Sequence, residues 1–476
     1  MITNRSITAF LRLLTICRRK VVDSISSRQE GGYREILVVA IPLVISSATH
    51  TVLTFTDRMF LSWYSADCIA ASGPASILSY AIICFFMGTG AYTTALIAQF
   101  YGANKTLRIT RSLWQGIYFG LISSVFIVLL IPVGRMVINN SGHDSRVISL
   151  EISYFTILMY GGGLVVIGTT LSSFFSGQGR TKVIMFITFV SALINILLDY
   201  ILIFGKLGFP ALGIVGAGIA TVISHAIVIA ILACLVFQKK YRKKFRVHKL
   251  YQFNIKIFMK LISFGSPEGF HYFVDIAGFS VFIFFIGSYG SVALAASNIA
   301  IFVDMMAFMP MIGIGMATTI LVGQYIGKNK KHIAVTVTNN SMKITLIYGT
   351  FIGCLFWFFP EFFINFFKGN DESTFSQIAS NAIPIFKILP FFLMADSLNI
   401  IFGSALSGAG DTKFKMVTAS LIVLFLFVPE EFLILKIWEM PVVYGWWWCT
   451  FYLLVMGLVY LFRFRQGAWK RISIIS

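Results

Sequence analysis

Six acidic residues lie inside long apolar stretches of the chain, where an unpaired charge is unfavourable. These residues are Asp57, Asp199, Glu268, Asp275, Asp304 and Asp396. A carboxylate within a bilayer is costly unless it faces a water-filled cavity, a cation or a proton. Polar side chains on neighbouring helices can satisfy a single buried acid. Six together, in a chain with few acids elsewhere, indicate a functional set.

The acids of the first half form the tighter group. Asn195 and Asp199 are four residues apart and share one face of a helix, and Ala217 and Thr221 do the same on the next helix. Asp57 and Asp199 lie at similar distances from the outer ends of their helices, so similar depths are expected. These oxygen atoms suit a hard cation such as sodium. Alternatively, two close carboxylates share a proton, and the residues alone leave both choices open.

Three acids of the second half, Asp275, Asp304 and Asp396, are predicted near the middle of separate helices. They are the candidate residues for substrate binding or coupling in that half. Glu268 is predicted closer to the cytoplasmic side, where a structural role is as good an explanation. The intramembrane histidines are interpreted as hydrogen-bonded packing residues rather than proton relays; they are His50, His225 and His271.

The composition indicates that the apolar stretches around these acids lie in a membrane. The chain is 57% hydrophobic and only 12% charged, and its mean hydropathy of +0.84 is too high for a soluble protein of this length. Windows of about 20 apolar residues predict twelve transmembrane helices. The predicted spans are 36–62, 72–99, 112–134, 150–176, 183–204, 212–237, 258–287, 295–324, 336–360, 379–407, 414–435 and 442–462.

An internal duplication divides these helices into two sets of six. Residues 42–105 and 267–330 match without a gap, and SGQGRTK at 176–182 matches SGAGDTK at 407–413. Internal repeats in a membrane chain are typical of transporters that bind substrate between their halves. We therefore predict an all-α integral membrane protein with two homologous six-helix lobes around a central cavity. The predicted divisions are an amphipathic segment 1–34, an N-lobe 35–238, a basic linker 239–257, a C-lobe 258–463 and a tail 464–476.

Charge predicts the orientation in the membrane. Alternate loops, the linker and both termini carry most of the 38 Lys and Arg residues, and short basic loops stay in the cytoplasm. Both termini are thus predicted to be cytoplasmic, and loops 63–71, 135–149 and 205–211 to lie outside. The net charge of +19 is explained by this bias and by attraction to lipid headgroups, so no nucleic-acid partner is expected.

The sequence lacks the motifs that would indicate several other classes of protein. The chain has no Walker loop, HExxH, dinucleotide fingerprint or Ser-His-Asp signature, so an ATP-driven pump or a membrane hydrolase is not indicated. Its six cysteines are scattered and predict neither a metal site nor a disulfide framework. We expect no enzymatic activity and no cofactor other than sodium or protons as the coupling ion.

Several motifs carry a resemblance to a known family. They are the run from Pro42 to Asp57 followed by MFLSWYSADCIAAS, the repeated ends AQFYGANK and GQYIGKNK, FPALGIVGAGIAT at 209–221, and SGAGDTK. In these the chain resembles the multidrug and toxic-compound extrusion (MATE) family over about residues 35–463. The resemblance implies two six-helix lobes in a V shape and export of organic cations against entry of sodium or protons.

The resemblance also assigns residues. It implies a cation site in the N-lobe formed by Asp57, Asn195, Asp199, Thr221 and the carbonyl of Ala217. It implies that Asp275 and Asp396 belong to the coupling machinery of the C-lobe. Some relatives have Glu where this chain has Asp275, and acids occur in both lobes, so the coupling lobe stays open.

These observations predict a monomeric antiporter of the inner or plasma membrane that exports amphipathic organic cations. A flippase for a lipid-linked saccharide is the alternative within the same superfamily. That function calls for a basic cavity. With Lys260 and Lys415 counted among the adjoining basic loop residues, the only basic residues assigned to the spans are Arg58, Lys343 and Lys387. A passive channel or scaffold is the alternative from another class, and acids placed asymmetrically in duplicated halves favour coupled transport over it.

Overall fold

The structure is a computed structural model that describes residues 30–368, 372–472 and 474. Most of the predicted amphipathic segment 1–34 lies outside the described residues. The described part of the chain is almost entirely helical and contains no strand, as predicted.

Twelve helices of the described chain are long and apolar enough to cross a membrane, which confirms the predicted number. They are α1 (Tyr33–Tyr64), α2 (Ala66–Gly102), α3 (Thr106–Asn139), α4 (Ser145–Ser176), α5 (Thr181–Phe204), α6 (Ile214–Val236), α7 (Ile255–Gly287), α8 (Ser291–Gly327), α9 (Lys331–Phe358), α10 (Leu389–Ala409), α11 (Thr412–Ile437) and α12 (Val442–Gln466). Shorter helices cover Lys239–Phe245 in the linker, Pro360–Asn365 and Glu372–Phe386.

The predicted tenth span, 379–407, is wrong as one continuous helix. The chain forms Glu372–Phe386 and then begins α10 at Leu389. Pro390 sits in the first turn of α10, where the missing backbone N–H is not needed. Pro42 and Pro267, in contrast, lie inside continuous helices.

The two halves repeat the same packing. In the N-lobe, α1 packs against α5, and α4 packs against α2, α3 and α6. In the C-lobe, α7 packs against α11, and α10 packs against α8, α9 and α12. The sequence repeat is therefore also a structural repeat. Between the lobes, α1 packs against α8 and α2 against α7.

Glycines allow these two crossings between the lobes. A Cβ atom added at Gly88 of α2 would lie 2.8 Å from the Cα of Gly269 on α7. One added at Gly313 of α8 would lie 2.9 Å from the backbone nitrogen of Val44 on α1. The sequence repeat aligns Gly88 with Gly313 and Val44 with Gly269. Both lobes thus use the same close contact, once in each direction.

A second symmetric contact joins the lobes at the end that carries the basic loops, called the basic end below. Gln99 Nε2 at the end of α2 donates to the carbonyl of Gly408 on α10, at 2.9 Å. Gln324 Nε2 at the end of α8 donates to the carbonyl of Gly177, which caps α4, also at 2.9 Å. Among the described residues, glycines in the opposite half of the bundle approach only their own lobe. The lobes therefore converge at the basic end.

The outside of the bundle is apolar. Side chains such as Phe284 and Phe425 are each 75% exposed, and bands of exposed apolar residues are favourable only against lipid. The linker helix Lys239–Phe245 packs under the N-lobe through Tyr241 and Phe245, whose rings contact Phe174.

Candidate coupling and substrate site

The N-lobe acids lie on two adjacent helices, α1 and α5. Asn195 stands between Asp57 and Asp199, with its amide orientation assigned from the neighbouring donors and acceptors. In this orientation its nitrogen donates to Asp199 Oδ2 at 3.0 Å and to Asp57 Oδ1 at 3.2 Å. One turn of α5 separates Asn195 from Asp199, so helical periodicity alone puts both on the face toward α1.

Helix α6 holds the other side of the Asn195 amide. The amide oxygen accepts from Ser224 Oγ and from the backbone nitrogen of Thr221, each at 3.3 Å. Ser224 was missed by the sequence analysis, although it follows Ala217 and Thr221 on the same helix face. The amide therefore has a partner at every polar atom and is fixed in place.

The two carboxyl groups are close enough to hydrogen-bond directly to each other. Asp199 is fully buried, and its Oδ1 has no hydrogen-bond partner within the described chain. Asp57 is half-buried. Since two ionised carboxylates in contact repel each other strongly, this arrangement needs a proton or a cation between them.

Thr221 and Ala217 contribute less directly than the sequence predicts. The Thr221 hydroxyl donates to the Ala217 carbonyl at 3.0 Å, so the two predicted ligands bond each other within α6. The part of the chain that the structure describes has no group of three or more His, Cys, Asp or Glu that could hold a metal ion. A sodium ion would take its oxygen ligands from Asp57 and Asp199, with the Asn195 amide turned over.

The C-lobe acids share one interior. Asp396 on α10 is buried, hydrogen-bonds Asn399 and is within electrostatic range of Asp304 on α8. Asp275 on α7 is within range of Asp396 in turn. Asp304, Asp396 and Asp275 are thus within electrostatic range of one another in succession inside the C-lobe, separate from the N-lobe pair.

Glu268 forms a closed, buried ion pair. Lys415 Nζ lies 2.8 Å from Glu268 Oε1, and Ser407 Oγ donates to the same carboxylate at 2.8 Å. The sequence analysis counted Lys415 among the basic loop residues, which is wrong: it lies in the first turn of α11 and is 6% exposed. With its charge neutralised and its oxygens occupied, Glu268 is unsuited to binding substrate.

His271 links the acid Asp275 to α12. Its Nδ1 lies 3.1 Å from Asp275 Oδ2, and its Nε2 lies 3.2 Å from the hydroxyl of Tyr460. Tyr460 also donates to the backbone carbonyl of Lys415 at 3.2 Å. The bond to Tyr460 agrees with the expectation that His271 is a hydrogen-bonded residue, whereas its Nδ1 has no hydrogen-bond partner among the described residues.

A model of the family described as MatE matches residues 42–201 and 267–430. The chain belongs to the MATE family. The two matched segments begin at Pro42 and Pro267, the first residues of the internal repeat, so each lobe of this MATE protein carries one copy of the family domain.

Relatives cover nearly the whole chain. A probable multidrug resistance protein NorM of Thermotoga maritima is 24% identical over 93% of this chain and 94% of its own length. A protein of the same name from Photorhabdus laumondii is 28% identical over 80% and 83%. Among solved structures, an outward-facing multidrug resistance MATE transporter of the MOP superfamily superposes with a TM-score of 0.82 at 20% identity, over 92% of this chain and 96% of that one. A MOP superfamily transporter from Pyrococcus furiosus gives 0.83 at 21% identity, over 94% and 98%. These structures confirm the two-lobe fold.

Two further buried acids of this MATE protein were missed. Glu431 on α11 is fully buried, and neither carboxylate oxygen has a hydrogen-bond partner within the described residues. It lies between π-helical turns at 423–427 and 433–437, and such turns often mark functional sites. Glu151 on α4 is buried beside His143, at 2.8 Å. Both acids stand within the predicted spans, so the apolar windows contained the signal.

Proposed function

We propose that this MATE protein exports amphipathic organic cations, including drugs, in exchange for protons or sodium ions by alternating access. The names of its NorM relatives support multidrug efflux. The observation that carries the exchange mechanism is the direct contact between the Asp57 and Asp199 carboxyl groups inside the N-lobe.

This pair suits an exchanged ion because its charge must be compensated in every state. A proton shared by the two acids satisfies them with the Asn195 nitrogen turned toward both. Sodium would instead require the Asn195 oxygen on that side, which would place the amide nitrogen, a donor, against the backbone N–H of Thr221, also a donor. The observed contacts of Asn195 therefore favour the proton at the N-lobe site.

The substrate class follows from the sign of the central charges. Within the described residues the acids Asp275, Asp304 and Asp396 form no ion pair with Lys or Arg and offer negative charge, while Lys415 is neutralised by Glu268. Tyr272 of α7 lies beside Asp275 and near Tyr80 of the opposite lobe. Aromatic faces next to carboxylates bind flat organic cations loosely, which suits export of varied compounds.

We also propose that the protein is a monomer of the inner or plasma membrane with the basic end and both termini in the cytoplasm. A single cysteine at position 245 would be a poor probe, because Phe245 is buried. Lys243 in the same linker helix is exposed. A cysteine there should resist an impermeant thiol reagent on intact cells and react after permeabilisation. Labelling on intact cells would show that the linker lies outside and would contradict the proposed topology.

The test of the function is transport of ethidium by the purified protein in proteoliposomes, with sodium and proton gradients imposed separately. Ethidium should move against its own gradient with at least one of the two ions, and faster than a neutral or anionic compound of similar size. Flux that ignores both gradients would indicate a passive channel. Preference for an anionic substrate would favour the lipid-linked saccharide flippase.

A further inference from the structure

The chain that follows α12 turns back across the basic end. Gly467 ends α12 with a φ of 74°, a left-handed conformation that glycine adopts readily. Trp469 is buried; its ring stacks on Phe464 of α12 with the ring centroids 5.0 Å apart, and its Nε1 donates to the Phe464 carbonyl at 2.8 Å. Chain termini are poorly ordered unless such contacts hold them. The described residues of this segment, 468–472 and 474, are called the tail strap below.

Two lysines near the starts of C-lobe helices hold the backbone of the tail strap. Lys331 Nζ, at the start of α9, donates to the Lys470 carbonyl at 2.7 Å. Lys260 Nζ, in the second turn of α7, donates to the Ile474 carbonyl at 2.8 Å. Both bonds have a charged donor, and such bonds are stronger than neutral ones. The tail strap thus runs from α12 past α9 to α7, the C-lobe helix that packs against α2 of the N-lobe.

Ile474 of the tail strap is buried where the lobes meet. It is 1% exposed, and it belongs to an apolar cluster whose other buried members, apart from Leu261 of α7, all lie in the N-lobe. On the C-lobe side, a Cβ added at Gly410 would lie 2.5 Å from Ile474 Cδ1. Gly410 comes two residues after Gly408, whose carbonyl accepts the bond from Gln99. Ile474 therefore lies beside a contact that joins the lobes.

We propose that the tail strap is a latch that favours the state closed at the basic end and has to move before that end opens. Separating the lobes there would take α2 away from α7 and expose Ile474 to water, which is unfavourable for an apolar side chain. The tail strap thus shifts the equilibrium between the two states toward the closed one. This inference rests on the alternating access proposed above, and it names the segment that opposes opening at the basic end.

The test is the distance between spin labels at Lys182 and Lys413, measured by pulsed electron paramagnetic resonance on the purified protein without its native cysteines. Both positions are exposed, are equivalent in the repeat and lie at the basic end, one in each lobe. Ending the chain at Gly467 removes the tail strap, and Ile474→Ser removes its buried apolar side chain. Each change should shift the distances to larger values than in the wild type. The control Arg471→Ser, at an exposed position of the tail strap, should keep the wild-type distances.

Wild-type distances in both the shortened chain and Ile474→Ser would overturn the proposal, as would an equal shift in Arg471→Ser. If the shortened chain does not fold, Ile474→Ser decides the question alone. Ethidium transport by the same samples separates the two proposals. Wild-type flux that ignores both gradients defeats the exchange function, whereas gradient-driven flux together with unchanged distances in both variants defeats only the latch.

Discussion

At the scale of single residues, the buried ion pair of Glu268 and Lys415 gives a direct prediction. Lys415→Met removes the cation and leaves an uncompensated buried carboxylate, which should destabilise the protein by about 3–5 kcal/mol. The thermal unfolding midpoint in detergent measures this change. Lys413→Met, two residues earlier and exposed, is the matched control and should leave the unfolding midpoint unchanged.

The double variant Glu268→Gln with Lys415→Met should recover much of the lost stability, because it leaves no unpaired charge. Equal stability of Lys415→Met and Lys413→Met would show that the pair contributes nothing. A double variant less stable than either single change would also contradict this account.

The sequence predicted residue pairs within one helix better than pairs between helices. Asn195 and Asp199 were grouped from their spacing of one turn, and the structure places both beside Asp57. The partnership of Glu268 with Lys415 joins α7 to α11 and has no local signal. The roles proposed for Asp57, Asn195, Asp199, Ala217 and Thr221 in coupling remain predictions.

At the scale of helices, the close crossing of α2 and α7 can be tested with two glycines of the same helix. A Cβ at Gly88 would lie 2.8 Å from the Gly269 backbone, whereas one at Gly73 would have nothing within 4 Å. Gly88→Ala should therefore lower the unfolding midpoint. Gly73→Ala should leave the midpoint unchanged or raise it, because alanine improves helix propensity by up to about 1 kcal/mol. If both substitutions raised the midpoint alike, the crossing would not be tight.

Apolar length predicted the number of helices because every span must satisfy its own backbone in lipid. It did not predict the interruption before α10. A hydropathy window counts apolar residues and carries no information on backbone hydrogen bonds. It therefore assigned Phe386 and Leu389 to one span, although one helix ends at Phe386 and the next begins at Leu389. The prolines at 384 and 390 were the available signal.

At the scale of the whole molecule, the two lobes are held at the basic end by the paired bonds of Gln99 and Gln324. We expect Gln99→Leu with Gln324→Leu to favour separation of the lobes there. Spin labels at Leu107 and His332, exposed and equivalent in the repeat, should then report a longer distance by pulsed electron paramagnetic resonance.

Gln178→Leu is the control for this distance measurement, because among the described residues the Gln178 amide bonds only the carbonyl of Phe174, in the helix that Gln178 follows. The labels should keep the wild-type distance in that variant. An unchanged distribution in the double variant of Gln99 and Gln324 would show that the lobes are held by other contacts.

The internal duplication explains which features of the contact between the lobes could be predicted from the sequence. Gln99 and Gln324 both stand in the repeated ends AQFYGANK and GQYIGKNK, so the equivalence was visible. Their partners, the carbonyls of Gly408 and Gly177, could not be predicted, because every residue has a backbone carbonyl and the side-chain pattern does not show which one accepts. The two-lobe fold was predicted, and the contacts that close one end of it were not.

The most direct test of the account is gradient-driven ethidium export by Asp57→Asn and Asp199→Asn in proteoliposomes. Because we propose that the two carboxyl groups act as one ion site, each single variant should abolish uphill export almost completely, and the double variant should lose no more. Asp67→Asn, an exposed acid at the start of α2, should transport normally. Wild-type rates in both single variants would contradict the central claim and make the N-lobe pair structural.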